Sequence, residues 1–163
     1  MRITAADAPA GWSDQGLRAG VGPSVSADDL PRAGYLARLA LRLTAEDSEA
    51  DPGPRIVLAD QAGGLLELAA CVGPETVKNP DVAALEDALQ GAPWLVATLW
   101  GFVGEPSVRA AATRLRVHHS TLQERLVLAE RMLGWDLRSS HGRLRVQLAI
   151  VLRRLHSVPL VLQ

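Results

Sequence analysis

The pattern of apolar residues after Pro93 constrains the fold of this chain more than any other feature of its sequence. Four helical segments, separated by short turns, run through residues 94–103, 107–115, 120–133 and 143–156. Segments this short bury their apolar faces only by packing on one another. We therefore expect residues 93–163 to form a small all-α domain with its own core. In the last segment, the predicted buried stripe consists of Leu144, Leu148, Val151, Leu152 and Leu155.

The second and third helical segments, SVRAAATRLRVHHSTLQERL, have the spacing of a helix-turn-helix pair. Ser107 is a favourable N-cap for the first of these helices. At the second helix, Ser120 and Gln123 have the spacing of a capping box. Thr121 and Glu124 have the same spacing, so we predict that this helix begins at residue 120 or 121.

The N-terminal turn of the second helix is predicted to project from the domain. In DNA-binding helix-turn-helix domains, such side chains enter the major groove, while the N-terminus of the preceding helix faces a phosphate. An ordinary helical hairpin has the same spacing, so the pattern by itself leaves both interpretations open. The side chains that we predict to contact DNA are His118, His119, Thr121, Gln123, Glu124 and Arg125, together with Ser107, Arg109 and Arg116.

Charge is divided unevenly along the chain. Residues 1–90 hold seven Lys and Arg against fourteen Asp and Glu, whereas residues 91–163 hold ten against four. A basic segment of this kind is typical of nucleic-acid-binding surfaces, although arginine-rich helices are also ordinary solvated faces. The arginines that favour DNA binding are Arg109, Arg114, Arg116, Arg125, Arg143 and Arg145.

Residues 1–60 have a different pattern, in which an apolar strand at 17–25, a helix and a second strand at 55–59 follow one another. Gly20 and Gly22 lack the third glycine and the helix start of a phosphate-binding loop, so we interpret them as a turn. The strands predict a parallel pair with a crossover helix, which is too small to be stable alone. The predicted fold is therefore mainly α, α+β overall, with a helix-turn-helix bundle preceded by a small strand-helix-strand remnant.

Composition disfavours several classes of function. The longest apolar run, residues 94–104, has about half the roughly 20 residues needed to span a bilayer. Cys71 is the single cysteine, which excludes an internal disulfide, and lone cysteines are usually buried. His118, His119 and His141 lack a carboxylate or thiol at helical spacing, so we predict no metal site. The serines and histidines of the chain form no nucleophile-base motif, so we predict no catalytic nucleophile and no cofactor. We interpret the chain as a cytoplasmic protein that is not an enzyme.

Short motifs along the C-terminal segment carry a family resemblance. They are Thr98-Leu99, Ser107-Val108-Arg109-Ala110-Ala111-Ala112, Leu115, Val117-His118, Thr121-Leu122, Arg125-Leu126, Leu133-Gly134, Asp136-Leu137 and Arg143-Leu144-Arg145-Val146-Gln147-Leu148-Ala149. With these motifs, residues 94–156 resemble the C-terminal helix-turn-helix domain of PucR/CdaR-type bacterial transcriptional regulators, which is related to the factor for inversion stimulation. Upstream, residues 20–25 followed by 38–41 are similar to the end of the degenerate GGDEF-like domain that precedes it in such regulators.

The resemblance implies a transcription factor in which the helix beginning near Ser120 binds double-stranded DNA. It also implies an effector-sensing domain upstream, which this chain does not contain, so we interpret the chain as starting inside the middle domain. The domains predicted on this basis are a GGDEF-like remnant at 1–60, a helical connector at 61–92 and the DNA-binding domain at 93–163.

The predicted recognition helix departs from the family pattern His-Arg-Asn-Thr-Leu-Arg-Tyr-Arg-Leu. The corresponding residues here are His118-His119-Ser120-Thr121-Leu122-Gln123-Glu124-Arg125-Leu126. Fixed positive charges are lost and Glu124 adds a negative one, so the phosphate contribution to affinity should fall below the family norm. Gln123 can still read adenine, and Glu124 can accept a hydrogen bond from cytosine.

Two functions from different classes follow from these observations. The first is a sequence-specific DNA-binding regulator, which we expect to act as a homodimer because such proteins usually meet symmetric half-sites. The alternative is a helical dimerisation or protein-interaction module that has lost DNA binding through Gln123 and Glu124. Trp94, Trp100 or the connector helices are the predicted sites of self-association.

Overall fold

The computed structural model describes residues 17–159 and divides the chain into two compact units. Among the described residues, the first unit holds 17–47, Gly53–Val77 and 152–159, and the second holds Ser48–Pro52 and Lys78–Val151. The fold is mainly α, with a small two-stranded sheet in the described part of the chain, as the sequence predicts. The domain boundaries at residues 60 and 92 stay a prediction.

The elements follow the predicted order closely. They are β1 (Ala19–Val21), α1 (Leu30–Arg42), β2 (Ile56–Leu58), α2 (Ala59–Ala62), α3 (Leu65–Cys71), α4 (Pro80–Gly91), α5 (Leu95–Val103), α6 (Val108–Leu115), α7 (His119–Leu133) and α8 (Ser140–Ser157). A 3-10 turn, Ala27–Asp29, leads into α1. The short turns between the last four helices are those that the apolar periodicity indicates.

In the first unit, β1 and β2 form the predicted parallel pair, with Gly20 opposite Val57 and α1 as the crossover. Gly20 lies inside β1 and packs directly on α1. A Cβ atom at this position would collide with the backbone of Ala37 and Leu41, and one at Gly22 would collide with the backbone of Ala33. Close strand-helix packing, rather than a turn, therefore accounts for glycine at position 20.

Arg42 is the main polar group in the interior of the first unit. Its guanidinium is buried and donates hydrogen bonds to the carbonyl oxygens of Ala69, Val72 (2.7 Å), Leu155 (2.9 Å) and Val158 (2.7 Å). Carbonyl groups at helix C-termini have no intrahelical partner, so one side chain satisfies acceptors at the ends of both α3 and α8. Burial lowers the pKa of Arg42.

The core of the second unit is built by α4, α5, α6, α7 and α8. Its largest fully buried side chains are Leu85, Leu95, Leu99, Phe102, Leu122, Leu126, Leu137 and Ile150. The crossing of α5 and α6 depends on a small residue, because a Cβ atom at Gly101 would lie 2.5 Å from Cδ2 of Leu115. Ala111 and Ala112 are buried at the same core, as expected for small residues at a helix crossing.

Two predicted helix starts are wrong by a few residues. Helix α7 begins at His119, with His118 as its N-cap, so neither Ser120 nor Thr121 caps it. Helix α8 begins at Ser140 rather than Arg143. The earlier start has a local cause, because Oγ of Ser139 accepts the backbone N–H of Gly142 at 3.0 Å, as an N-cap does.

The predicted buried stripe of α8 is wrong at its first position. Leu144 is 53% exposed, and the core of the second unit instead receives Val146, Ala149 and Ile150. These three residues also have helical spacing, so periodicity alone does not distinguish the two stripes. Of the other predicted positions, Val151 and Leu155 are buried, whereas Leu148 and Leu152 are only partly buried.

Candidate nucleic-acid interface

The turn between α6 and α7 consists of Arg116, Val117 and His118. Arg116 has left-handed backbone geometry (φ 53°, ψ 39°), which reverses the chain direction at the end of α6. The N–H of Val117 donates to the carbonyl oxygen of Ala112 at 3.1 Å, so the last carbonyl groups of α6 are partly satisfied within the turn. The helix-turn-helix spacing predicted from the sequence is thus present.

His118 fixes the start of α7. Its Nδ1 atom accepts the backbone N–H of Ser120 at 3.3 Å and lies 2.7 Å from Oγ of the same residue. A histidine acts here as the cap that serine, threonine or asparagine usually provides. Capping-box spacing misled the sequence prediction because Ser120 lies inside the first turn of the helix.

Helix α7 has two opposite faces. Its buried residues are Leu122, Leu126, Ala129 and Leu133. At 100° per residue, the opposite face carries Ser120, Gln123, Glu124, Val127 and Arg131, all of which are exposed. The N-terminal half of the exposed face is polar and belongs to the segment that the sequence assigns to DNA.

Most of the predicted contact residues are exposed. The exposed members are Ser107, Arg109, Arg116, His118, His119, Gln123 and Glu124. Thr121 and Arg125 are only partly exposed. The structure thus brings seven of the nine predicted side chains to the surface of the two helices and their turn.

Arg125 packs against an aromatic ring that the sequence does not connect with it. Its guanidinium carbon lies 5.2 Å from the centroid of the Trp94 ring, within the range of a cation–π contact. Trp94 and Trp100 are both partly buried and pack against the core of the second unit. Trp94 therefore supports a predicted contact residue, and sequence spacing gives no sign of this pair.

Ser107 caps α6, as predicted. Its Oγ accepts the backbone N–H of Ala110 at 3.2 Å. The hydroxyl is therefore engaged within the helix terminus, and the exposed Arg109 in the first turn of α6 adds positive charge beside it. The amide groups of the first turn and this charge would together favour an anion.

Several arginines that the sequence assigns to DNA have partners inside the second unit. Arg145 forms two hydrogen bonds to Asp81 (2.6 and 2.7 Å), which raise its pKa, and its guanidinium carbon lies 4.6 Å from the Trp135 ring centroid. Arg114 pairs with Glu105 at 3.1 Å. These side chains already have partners within the second unit, so less positive charge is available to DNA than the number of arginines in the sequence indicates.

Arg143 has a similar internal role. It donates to the carbonyl oxygens of Phe102 (3.2 Å) and Glu105 (2.8 Å), which lie at and just beyond the end of α5. Its guanidinium carbon also lies 4.1 Å from the Phe102 ring centroid. Within residues 17–159, by contrast, Arg109, Arg116 and Arg131 are exposed and have no ion pair.

Other kinds of site were sought in the same part of the chain. Residues 17–159 contain no group of three or more His, Cys, Asp or Glu side chains placed to hold a metal ion. None of their helices is both long and apolar enough to cross a bilayer. Cys71 is exposed, in contrast to the buried position usual for a lone cysteine.

Comparison with protein families gives a match to part of the chain. Residues 95–152 match the family model of the PucR C-terminal helix-turn-helix domain, a range that covers α5, α6, α7 and most of α8. No curated protein and no solved structure matches the chain. The match supports a helix-turn-helix segment of PucR type, in the place where the sequence motifs indicate it.

Proposed function

We propose that residues 93–163 are the sequence-specific DNA-binding domain of a bacterial transcriptional regulator, with α7 in the major groove. The observation that carries this proposal is the exposed polar face at the start of α7, opposite its buried stripe and one short turn after α6. This surface lies within the segment that matches the PucR helix-turn-helix model. A recognition helix presents its N-terminal residues to base edges in this way.

The base edges are proposed to be contacted by side chains in the first two turns of α7. Gln123 has the donor and acceptor that pair with adenine, and Glu124 can accept from the amino group of cytosine. His118, His119 and Thr121 stand closer to the helix N-terminus, where side chains reach either bases or phosphates. Because Nδ1 of His118 already accepts the Ser120 N–H, His119 is the histidine that remains available for a DNA contact.

The phosphate groups are proposed to be contacted by Arg109, by Arg116 and by the N-terminus of α6, which Ser107 caps. Arg116 supports this assignment through its charge. Left-handed geometry favours glycine or asparagine, so an arginine at this helix end is uncommon. The structure gives this exposed side chain no partner of its own in the described part of the chain.

Arg125 is proposed to act from a fixed position. Its stacking on Trp94 restricts the guanidinium to one side of α7, so less rotamer freedom is lost when it meets a phosphate or a base. Trp94 is then a positioning residue for the interface, although it lies before α5.

The wider features of such a regulator also remain proposals. We infer a cytoplasmic protein that binds DNA as a homodimer and regulates transcription, with an effector-sensing part elsewhere in the protein. The strand-helix-strand segment of the first unit is proposed to derive from a GGDEF-like domain, since it has a parallel pair joined by a crossover helix. We assign the chain a binding role and no catalytic step.

Duplex binding tests the main proposal. Fluorescent duplexes carrying randomised sites are selected with the purified chain, and binding is then measured for the selected sequences. Gln123→Ala should lose at least about fivefold in affinity for the preferred duplex, since a bidentate base contact contributes roughly 1–3 kcal/mol.

The matched control is Arg38→Ala, which removes one exposed charge from α1 in the first unit. It should leave sequence preference unchanged. Failure of the folded chain to bind any duplex at low salt, or equal binding to all sequences in the selection, would contradict the proposal. Arg125→Ala is read together with its thermal midpoint, because loss of the Trp94 contact also affects folding.

The alternative, a helical dimerisation or protein-interaction module, is favoured by one observation. Val127 and Leu128 are exposed on α7, at 39% and 45% of their surface. Apolar side chains on the outer face of a helix are more typical of a protein contact than of a solvated surface.

A further inference from the structure

The outer face of α7 carries an apolar pair between two opposite charges. Val127 and Leu128 are exposed at its centre, with Glu124 on the N-terminal side and Arg131 on the C-terminal side. The same residues line a shallow groove, together with Ser120, Gln123 and Arg138. We call the set Glu124, Val127, Leu128 and Arg131 the α7 stripe.

The two charges of the α7 stripe are too far apart to pair with each other. They lie seven positions apart in the sequence, which corresponds to about 10 Å along a helix axis. Arg138, which lies across the groove, is in contact with Glu130 at 3.7 Å. Within the described part of the chain, neither Glu124 nor Arg131 forms an ion pair.

The order of residues along the stripe is symmetric. Its midpoint lies between Val127 and Leu128, and an opposite charge stands at an equal distance on either side of that point. In an antiparallel copy of the same helix, related by a two-fold axis through this midpoint, each charged residue of the stripe lies opposite a residue of the opposite charge. Such self-complementarity is the requirement of a two-fold symmetric interface.

We propose that the α7 stripe binds a second copy of this chain, helix against antiparallel helix. Glu124 then lies opposite the partner's Arg131, and Arg131 lies opposite the partner's Glu124. Val127 packs on the partner's Leu128 at the two-fold axis, and the reverse contact follows from symmetry. A helix pair of this size buries less than the roughly 1,200 Å² of a standard interface, so the association is weak and transient.

The pairing has a consequence that rests on the proposed function. Glu124 belongs both to the stripe and to the residues assigned to base reading, and Gln123 lines the same groove. A chain paired through α7 therefore cannot place this helix in the major groove. The α7-paired form is a DNA-free form, distinct from the homodimer proposed to bind symmetric half-sites.

Charge reversal on each side of the stripe tests the pairing without DNA. In Glu124→Arg both stripe charges are positive, and in Arg131→Glu both are negative, so each variant repels its own copies. A fluorescently labelled Glu124→Arg chain is titrated with Arg131→Glu and, separately, with unlabelled Glu124→Arg, and binding is followed by anisotropy. The mixed pair should bind at least about tenfold tighter than the like pair.

The double variant Glu124→Arg, Arg131→Glu restores complementarity and should associate as the unmodified chain does. In a further variant, Val127→Asp with Leu128→Asp should remove the association in every combination. Equal binding of the mixed and like pairs, or a double variant that does not recover, would overturn the proposal. All substitutions are at exposed positions, and circular dichroism is used to check that each variant is folded. Because no DNA is present, a negative result here is independent of duplex binding.

Discussion

At the scale of single residues, the buried Arg42 satisfies backbone carbonyl groups that are usually satisfied by helix caps or by water. The guanidinium of Arg42 donates to carbonyl groups of Ala69, Val72, Leu155 and Val158. Replacing it with methionine keeps the length of the side chain but leaves these acceptors unsatisfied, so Arg42→Met should lower the free energy of unfolding by about 2–4 kcal/mol. Urea unfolding followed by circular dichroism measures the loss.

The control for Arg42 lies one turn earlier on the same helix. Arg38 is exposed, and Arg38→Met should change the free energy of unfolding by less than about 0.5 kcal/mol. Similar losses for the two variants would mean that charge on α1, rather than the buried hydrogen bonds, stabilises the first unit.

At the scale of elements, the helix-turn-helix angle depends on how closely α5 approaches α6. A methyl group at Gly101 would contact Leu115 at 2.5 Å, so the two helices must separate or Leu115 must change rotamer. Gly101→Ala should therefore lower the free energy of unfolding by about 1–3 kcal/mol, despite the higher helix propensity of alanine. Thermal unfolding of the chain gives the sign and the size of the change.

Gly91 at the end of α4 provides the matched variant, because nothing lies within 4 Å of a Cβ atom built there. Gly91→Ala should be neutral or stabilise by up to about 1 kcal/mol. If Gly101→Ala were equally harmless, the close approach of α5 and α6 would not be a determinant of the fold.

At the scale of the whole molecule, residues 91–163 carry more arginine side chains than are available to contact DNA, because several of them have partners within the protein. Three arginines of this segment are proposed to contact DNA, namely Arg109 and Arg116, which are exposed and have no ion pair, and Arg125, which is partly exposed. Since each neutralised phosphate contributes about −0.9, the slope of log K against log salt should be no steeper than about −3 per chain. Arg109→Ala should reduce the slope by about one unit.

Arg145→Ala is the comparison for this measurement. Its guanidinium is held by Asp81, so the variant should lower stability and leave the salt slope unchanged. A slope much steeper than −3, or an equal reduction in both variants, would show that internally paired arginines still contribute to binding.

Local features of the sequence were sufficient to predict much of this fold. The helix-turn-helix spacing, the Ser107 cap and the parallel strand pair all depend on periodicity and on neighbours within a few residues. The start of α7 was missed because histidine is an uncommon N-cap, and the start of α8 because Ser139 caps it from a turn. The buried stripe of α8 was missed at Leu144 because two stripes on that helix have the same spacing.

The sequence by itself determined where the helices of this protein form, how α6 and α7 are spaced and which half of the chain is basic. These properties follow from side-chain period and local hydrogen bonding, which act between near neighbours. Only the tertiary structure decided which arginines remain exposed, since Arg145 meets an aspartate 64 residues away and Arg125 meets a tryptophan outside its helix. Burial and partner choice depend on contacts between distant segments, and these also leave the α7 stripe uncovered.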